Sequence, residues 1–454
     1  MASTAPTSLP PDRLEHEIRR VGRSLAAEFP APLRHPVKAL DDRAMGYAAE
    51  DQALRAALFR FVDVVPACRS LDELARHLTG LLDEVPAQPP PVAVARRMGT
   101  HRAGRAALGA AAVAGVRHMA HRFIVGDGVE GALGTLGELW ESGIASSVDL
   151  LGEATLTESE ADAYAARCHC ALDVLAGAAA GWPARPVLET DSLGPLARAN
   201  LSVKVTALTP LLRPHAPELG ERDAAARLLP LLQRARDRGV HLHIDMESLD
   251  TREAVLEAVL ELLERPELGD GPSAGVVIQA YLRDSGEQLE RVLAWAADTR
   301  RGPPLVVRLV KGAYWDHEIV EARQHGWVAP VFESKPESDR NFELLTRRLL
   351  AARPVVRVAI GSHNLRSIAH AIACNRLLGG DDRDLELQVL RGLGDDLAQA
   401  LAAQSFRVRA YCPVGDLIAG MAYLIRRLLE NTSNESFLAR SARGETLEAL
   451  LAPP

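Results

Sequence analysis

From Gly143 onward, the hydrophobic positions follow a repeating pattern in which a short β-rich run precedes an amphipathic helical stretch. Eight such runs begin at Ile144, Asn200, Val240, Gly275, Leu305, Val355, Leu385 and Phe406. Repeated strand-then-helix units favour a parallel sheet with right-handed crossovers, and eight units are enough to close a barrel. The pattern therefore predicts the α/β class and a (β/α)8 TIM-like barrel.

The region before the first of these runs has helical periodicity. Apolar residues recur at spacings of three and four over 13–82, and the prolines of 86–91 (PAQPPP) interrupt the pattern because proline cannot continue a helix. We expect a disordered tail at 1–12, a helical arm and α-domain at 13–85 and a helical linker region at 86–142. The barrel with its C-terminal helices would occupy 143–440, and a tail 441–454.

Polar residues fall in the second half of the predicted strands or just beyond them. They are Lys204, Asp245, Gln279, Arg308, Lys311, His363, Asn364, Gln388 and Tyr411. In a barrel of this type the active site is built at the carboxyl ends of the strands. A charge such as that of Arg308 is costly to bury unless it faces a carboxylate or a ligand. Their common position therefore predicts a functional site at that end.

Charge and composition exclude several classes of protein. The 454 residues carry 52 basic and 60 acidic side chains, and this negative balance argues against nucleic-acid binding. No secretory signal and no stretch long enough to span a bilayer is apparent, so a cytoplasmic location is expected. Five cysteines do not make a disulfide framework, and the cluster of Cys168, His169 and Cys170 lacks a second ligand pair. No metal site is predicted.

Gly126, Gly128 and Gly131 form a GxGxxG sequence that resembles a dinucleotide-binding turn, with Asp149 as the later acidic residue. No parallel βαβ unit surrounds these glycines, and this absence disfavours a dinucleotide site.

A metal-dependent TIM-barrel hydrolase is the alternative from another reaction class. His241, His243 and Asp245 alternate along one run, so their side chains share a face of the strand. Such a face could bind a metal, with His363 as a further ligand. His241 lies near the start of its strand, however, away from the expected active face, and a packed histidine explains it equally well.

The last helical stretch places four functional side chains on one face. Tyr423, Arg426, Arg427 and Glu430 follow the spacing i, i+3, i+4 and i+7. The face suits either solvent or a small zwitterion, because guanidinium groups bind a carboxylate and the acid can face an amine. Spacing alone does not decide between these interpretations.

Several runs together resemble one enzyme family. They are LSVKVTAL, HIDMES, VIQAYLRDS, VRLVKGAYWDHEI, GSHN, RAYCPVG and YLIRRLLENTSNESF, in this order. The chain is thereby similar to the flavin-dependent proline dehydrogenases, and most similar to the proline dehydrogenase half of bifunctional proline utilization A, over about 144–440.

The resemblance implies a distorted barrel, preceded by an all-helical arm and a small α-domain, that binds FAD without a covalent bond. It also implies oxidation of L-proline to Δ1-pyrroline-5-carboxylate, the first step from proline to glutamate, with electrons passed to a quinone. Reaching a quinone would need peripheral contact with the inner face of a membrane. The aldehyde dehydrogenase half has no counterpart in this chain, so we expect a separate Δ1-pyrroline-5-carboxylate dehydrogenase, or a portion absent from this sequence, to oxidise the product.

The same resemblance assigns roles to individual residues. Those implied at the substrate are Lys204, Asp245, Tyr314, Leu390, Tyr411, Tyr423, Arg426, Arg427 and Glu430, with Glu153 as a supporting carboxylate. Those implied at the flavin are Gln279, Arg308, Val310, Lys311, Gly312, Ala313, Trp315, Ser362, His363, Asn364 and Gln388.

Overall fold

The computed structural model describes residues 9–29, 51–86, 90–152, 155–299, 301–416, 420 and 444–454. Its helices are α1 (Pro11–Ala27), α2 (Gln52–Val64), α3 (Leu71–Asp83), α4 (Pro90–Gly99), α5 (Arg102–Phe123), α6 (Val129–Glu141), α7 (Glu158–Ala180), α8 (Pro186–Glu189), α9 (Pro217–Arg238), α10 (Leu249–Leu263), α11 (Ser285–Asp298), α12 (Trp315–His325), α13 (Lys335–Ala351), α14 (Leu365–Leu377), α15 (Asp395–Ala403) and α16 (Leu447–Leu450).

Eight parallel strands close into a barrel, which confirms the predicted fold class. They are β1 (Ile144–Leu150), β2 (Asn200–Val203), β3 (His241–Ile244), β4 (Ala274–Gln279), β5 (Val306–Val310), β6 (Arg357–Gly361), β7 (Leu385–Leu390) and β8 (Arg407–Val414). Their order around the barrel follows the chain, and β8 pairs with β1 to close it. Every predicted run overlaps one of these strands, and only β4 begins before its run, by one residue.

Local sequence signals set the ends of the surrounding helices. Thr157 and Glu160 form a reciprocal capping box at the start of α7, and Ser334 does the same with Glu337 at the start of α13. Gly239 ends α9 in the left-handed conformation that glycine adopts without strain. These ends allow each helix to return along the outside of the barrel and bury its apolar face against the strands.

The barrel interior is polar at its amino-terminal end. A short two-stranded ladder, Thr190–Asp191 with Gly194–Pro195, covers this opening. The Asp191 carboxylate accepts two hydrogen bonds from Arg357, at 2.9 and 3.0 Å, and one from Arg407 Nη1 at 3.0 Å. Side-chain exposure is 1% for Asp191, 5% for Arg357 and 2% for Arg407. Asp191 therefore neutralises charge inside the fold.

Both terminal segments of the described chain pack on the outside of the barrel. Arg366, on α14, makes paired contacts with Glu15 of α1 and with Glu343 of α13. Its guanidinium also donates to the carbonyl oxygen of Leu451 at 2.8 Å. Leu451 is buried against Gly22 of α1. The described part of the predicted tail 441–454 thus contacts α1 through Leu451.

Helices α2 to α5 share a separate hydrophobic core at the carboxyl end of the barrel. Leu54, Phe61 and Leu78 belong to this core, as do Leu151 and Leu393 from the loops after β1 and β7. The helices therefore lie beside the end of the barrel where the site is predicted.

The GxGxxG sequence lies at the start of a helix that leads into the barrel. Gly126 and Gly128 precede α6, Gly131 lies within it, and α6 leads into the first barrel strand. A helix that precedes a strand is not the strand-turn-helix unit that binds a dinucleotide.

Among the described residues, no helix combines the length and apolarity that crossing a bilayer requires.

Replacing Asp191 with asparagine is expected to destabilise the barrel by about 3–5 kcal/mol, because two buried guanidinium groups would lose their charged partner. Urea unfolding followed by circular dichroism measures the change. Asp173→Asn is the control, since Asp173 pairs with Arg234 and Arg238 at the surface and should change stability little. Equal destabilisation by the two substitutions would contradict the structural role of Asp191.

Candidate active site

A network of charged and hydroxyl groups lies at the carboxyl end of the barrel, with Asp245 at its centre. Asp245 follows β3 and accepts hydrogen bonds from Arg308 Nη1 at 2.9 Å, Ser202 Oγ at 2.7 Å and the Tyr411 hydroxyl at 2.6 Å. Lys204 Nζ lies 3.6 Å from the same carboxylate. Four predicted site residues, Lys204, Asp245, Arg308 and Tyr411, are therefore brought together from four strands.

Burial and charge determine the protonation of this network. Burial alone would lower the pKa of Lys204, but the carboxylates of Asp149 and Asp245 hold it above its ordinary value. Burial raises the pKa of Tyr411 well above its ordinary value, and the same two carboxylates add to the effect. At neutral pH Lys204 is therefore a cation and Tyr411 a hydrogen-bond donor.

Asp149 is a member of the network that the sequence pattern did not assign to the site. It lies on β1, is 1% exposed and forms a buried ion pair with Lys204. Ser147, two residues earlier, lies 3.5 Å from Arg308 Nη2. A spacing of two places side chains on the same face of a strand, so the alternation of Ser147 and Asp149 was the signal that could have identified them.

Two predicted glutamines point into the barrel near this network. Gln279 on β4 donates from Nε2 to the carbonyl oxygen of Glu247 at 3.1 Å, whereas its Oε1 is buried without a hydrogen-bond partner. Gln388 on β7 donates from Nε2 to Glu386 Oε1 at 2.6 Å. Arg308 Nε is likewise buried without a partner. A buried polar atom is costly to leave unpaired, so these atoms fit a bound polar group.

The end of β5, the loop after it and the start of α12 together contain five of the other predicted cofactor residues. Val310 is half-buried, and Gly312, Ala313 and Trp315 are exposed. Gly312 has φ +124°, and a Cβ at this position would lie 2.1 Å from the ring of buried Tyr281. Only glycine suits this backbone conformation and this close approach.

Lys311, in the same loop, belongs to a second charged group. Its Nζ lies 2.5 Å from one oxygen of Asp339, and Lys335 Nζ lies 2.5 Å from the other. Burial lowers the pKa of Lys311 to about 8, and the neighbouring charge of Lys335 adds to this. Two lysines that share one carboxylate leave one positive charge uncompensated, which suits an anionic ligand such as a phosphate.

The loops after β6 and β7 are joined by one hydrogen bond. His363 Nε2 accepts from the backbone N–H of Leu390 at 2.9 Å. Asn364 caps α14 by accepting from the N–H of Ser367, and the Asn364 N–H donates to Ser362 Oγ. The predicted residues Ser362, His363 and Asn364 therefore lie at the positive end of a 13-residue helix.

Two predicted substrate residues lie at the edge of the site. Leu390 is half-buried and packs against the core shared by α2 to α5, and Tyr314 is half-buried just before α12. The remaining predicted residues, Glu153, Tyr423, Arg426, Arg427 and Glu430, lie outside the described residues.

The histidine pair that suggested a metal is arranged differently from a metal site. His241 Nε2 and His243 Nδ1 lie 3.1 Å apart in hydrogen-bond contact, and His241 Nδ1 contacts Ser273 Oγ at 2.8 Å. Burial lowers the pKa of His241 to about 3, so the ring is neutral. Within the described ranges, no group of three or more histidine, cysteine or acidic side chains could hold a metal ion. Asp245 is instead bound to Arg308 and Tyr411.

Comparison with known proteins identifies the family of this chain. The family model "Proline dehydrogenase" matches residues 132–440, more than half of the chain. This chain belongs to the proline dehydrogenase family. A second model, "Proline utilization A N-terminal domain", matches residues 15–123. The predicted resemblance is therefore confirmed, and the family is one of oxidoreductases.

Several known proteins are similar to this chain in sequence or in structure. The bifunctional protein PutA of Salmonella typhimurium is 33% identical over 350 residues, which are 75% of this chain and 25% of that protein. Proline dehydrogenase 1 of Bacillus subtilis strain 168 is 26% identical over 72% of this chain and 91% of its own length. A crystal structure of proline utilization A from Bdellovibrio bacteriovorus, inactivated by N-propargylglycine, is 34% identical with a TM-score of 0.86.

That structural match covers 97% of this chain and 44% of the other. The chain thus spans about a quarter of the length of the Salmonella typhimurium protein and less than half of the chain in the Bdellovibrio bacteriovorus structure.

Gly312→Ala is expected to lower the free energy of unfolding by about 1–3 kcal/mol, because the new methyl group would overlap the Tyr281 ring. Urea unfolding measures the change. Gly286→Ala is the control, since a methyl group on Gly286 in α11 would point into open space and alanine favours a helix. Equal stability of the two variants would argue against the close contact.

Proposed function

We propose that this chain oxidises L-proline to Δ1-pyrroline-5-carboxylate with bound FAD and passes the electrons to a quinone. The observation that carries the proposal is the network of Lys204, Asp149, Asp245, Arg308 and Tyr411 at the carboxyl end of a barrel of this family. The product would be oxidised further by a Δ1-pyrroline-5-carboxylate dehydrogenase, in keeping with the bifunctional relatives. Peripheral contact with a membrane would give access to the quinone.

Lys204 supplies the positive charge that an amino-acid carboxylate needs. Its side chain is 14% exposed, so it remains accessible from the mouth of the barrel, while Asp149 is 1% exposed and lies behind it. A cation held in place by a buried carboxylate loses little conformational entropy when a ligand binds. We propose that Arg426 and Arg427 complete the binding of the carboxylate, and that Tyr423, Glu430, Tyr314 and Leu390 line the pocket, with Glu153 in support.

The described residues fit FAD at three places. Gln279 Oε1 and Arg308 Nε are buried polar atoms that still need partners. Lys311 and Lys335 share one carboxylate and retain a positive charge for a diphosphate. The segment Ser362 to Asn364 offers a helix amino terminus, which also favours phosphate. Val310, Gly312, Ala313, Trp315 and Gln388 complete the set that we assign to the flavin.

Bound FAD would supply the acceptor for the hydride that leaves the carbon next to the ring nitrogen of proline. The protein's part is to hold the substrate and to fix its charges. Asp245 orients the Arg308 guanidinium and the Tyr411 hydroxyl at once, because it accepts from both. The neutral amine lone pair drives hydride loss, so a site that holds the carboxylate without donating a proton to nitrogen favours the reaction. Lys204 meets this requirement because the raised pKa keeps its proton on Nζ.

The visible absorption spectrum of the purified protein tests the function. We expect flavin bands near ~450 nm that bleach when L-proline is added without air and return with a soluble quinone. A control with D-proline should leave the bands unchanged if the carboxylate is bound as proposed. A colourless protein that contains stoichiometric zinc would instead support the metal-dependent hydrolase built on His241, His243 and Asp245.

Lys204→Met should raise the KM for L-proline, since a lost charged partner costs on the order of 2–5 kcal/mol. Steady-state kinetics with a soluble quinone measure the effect. The single substitution leaves Asp149 buried without its cation, so Lys204→Met with Asp149→Asn is the matched variant. A wild-type KM in this double variant would refute the assignment of Lys204 to the substrate carboxylate.

A further inference from the structure

The two inward-facing glutamines of the site are held in the same way. Gln279 and Gln388 each donate from the amide nitrogen to an acceptor inside the protein, Glu247 O and Glu386 Oε1 respectively. Both side chains are buried, at 2% and 5% exposure. In each glutamine the amide oxygen is therefore the atom that can accept a hydrogen bond from a ligand in the site. For Gln279 the acceptor is a backbone carbonyl, whereas for Gln388 it is an ionisable side chain.

Glu386 lies two residues before Gln388 on β7, so both side chains point into the barrel. Its carboxylate pairs with Arg409 on β8 through two contacts, at 2.9 and 3.0 Å, and Arg407 Nε lies at 3.9 Å. Burial opposes ionisation of Glu386, but Arg409 and then Arg407 hold its pKa below the ordinary value. Glu386 is therefore an anion at neutral pH.

An ionised carboxylate only accepts hydrogen bonds, so the neighbouring amide must present N–H to it. A neutral neighbour such as glutamine could donate or accept, and the Gln388 amide could then turn over at little cost. The charge of Glu386, and not only its shape, thus selects one orientation of Gln388.

We propose that Glu386 is a positioning residue for the flavin: it fixes the Gln388 amide so that Oε1 serves as an acceptor toward the cofactor. This inference rests on the proposed function. The isoalloxazine ring in its oxidised form carries one ring N–H, flanked by two carbonyl groups, so a fixed acceptor matches that donor and a flipped amide does not. If Glu386 served only to neutralise Arg409, the orientation of the Gln388 amide would not matter for binding the flavin.

The test uses the FAD-loaded protein and the variant Glu386→Gln. After dilution, the rate of FAD release is followed by the rise in flavin fluorescence, and the position of the ~450 nm band is recorded beside it. We expect release to be faster by about threefold to tenfold, the factor that one hydrogen bond of ordinary strength carries. A displaced absorption band should accompany it.

Glu343→Gln is the matched control. Glu343 is also a buried carboxylate paired with a buried arginine, Arg366, but it lies on α13 outside the strands. Its carboxylate also favours the charged form of Lys311, which we assign to the diphosphate. Glu343→Gln should therefore lower thermal stability without displacing the ~450 nm band, because that band reports the surroundings of the flavin ring. If Glu386→Gln and Glu343→Gln lose stability alike and both release FAD as the wild type does, the positioning role is wrong.

A double variant, Glu386→Gln with Arg409→Gln, covers the case in which the single variant does not fold, because it leaves no unpaired charge. We expect it to fold and still to release FAD faster than the wild type. Recovery of the wild-type release rate would show that neutralising Arg409 is the whole role of Glu386 and would overturn the proposal. Wild-type protein purified without flavin would overturn the proposed function itself. Unchanged FAD release by the Glu386 variants would overturn only the positioning role.

Discussion

Charged side chains inside the barrel must be paired, and this constraint organises the rest of the structure. Alternating strand residues point inward, and several of them are ionisable, so each strand that contributes a cation needs a neighbour that contributes a carboxylate. Among the described residues the interior cations are Lys204, Arg308, Arg357, Arg407 and Arg409, and the carboxylates are Asp149, Asp191, Asp245 and Glu386. The register of the strands brings these partners into contact.

The ion pairs at the two ends of the barrel differ in their exposure. At the amino-terminal end Asp191 lies in its own ladder, is 1% exposed and pairs with two buried arginines, which is the arrangement of a structural ion pair. At the carboxyl end Lys204 and Asp245 remain partly accessible, and loops with exposed glycine and aromatic residues surround them. Glu386 lies between these levels. It pairs with Arg409 and accepts a hydrogen bond from the Gln388 amide, the contact that we propose positions the cofactor.

Strand-and-helix alternation was enough to predict the barrel and all eight strand positions, because hydrophobic periodicity depends only on local geometry. The family resemblance named the residues at the mouth of the barrel, and the structure brings Lys204, Asp245, Arg308 and Tyr411 into one network. In the sequence, Asp149 stands out only as the acidic residue of a dinucleotide-like motif. Its partner Lys204 lies 55 residues away, and no local pattern records a contact at that separation.

The sequence by itself therefore determined the fold class, and it predicted the end of the barrel for the candidate site and the side chains that lie there. Only the tertiary structure decided which of these side chains meet. It paired Asp149 with Lys204, placed His241 in hydrogen-bond contact with His243, and set the Gln388 amide against Glu386. The physical reason is that strand order and register fix contacts between distant residues, and burial then makes each unpaired charge or amide too costly to leave without a partner.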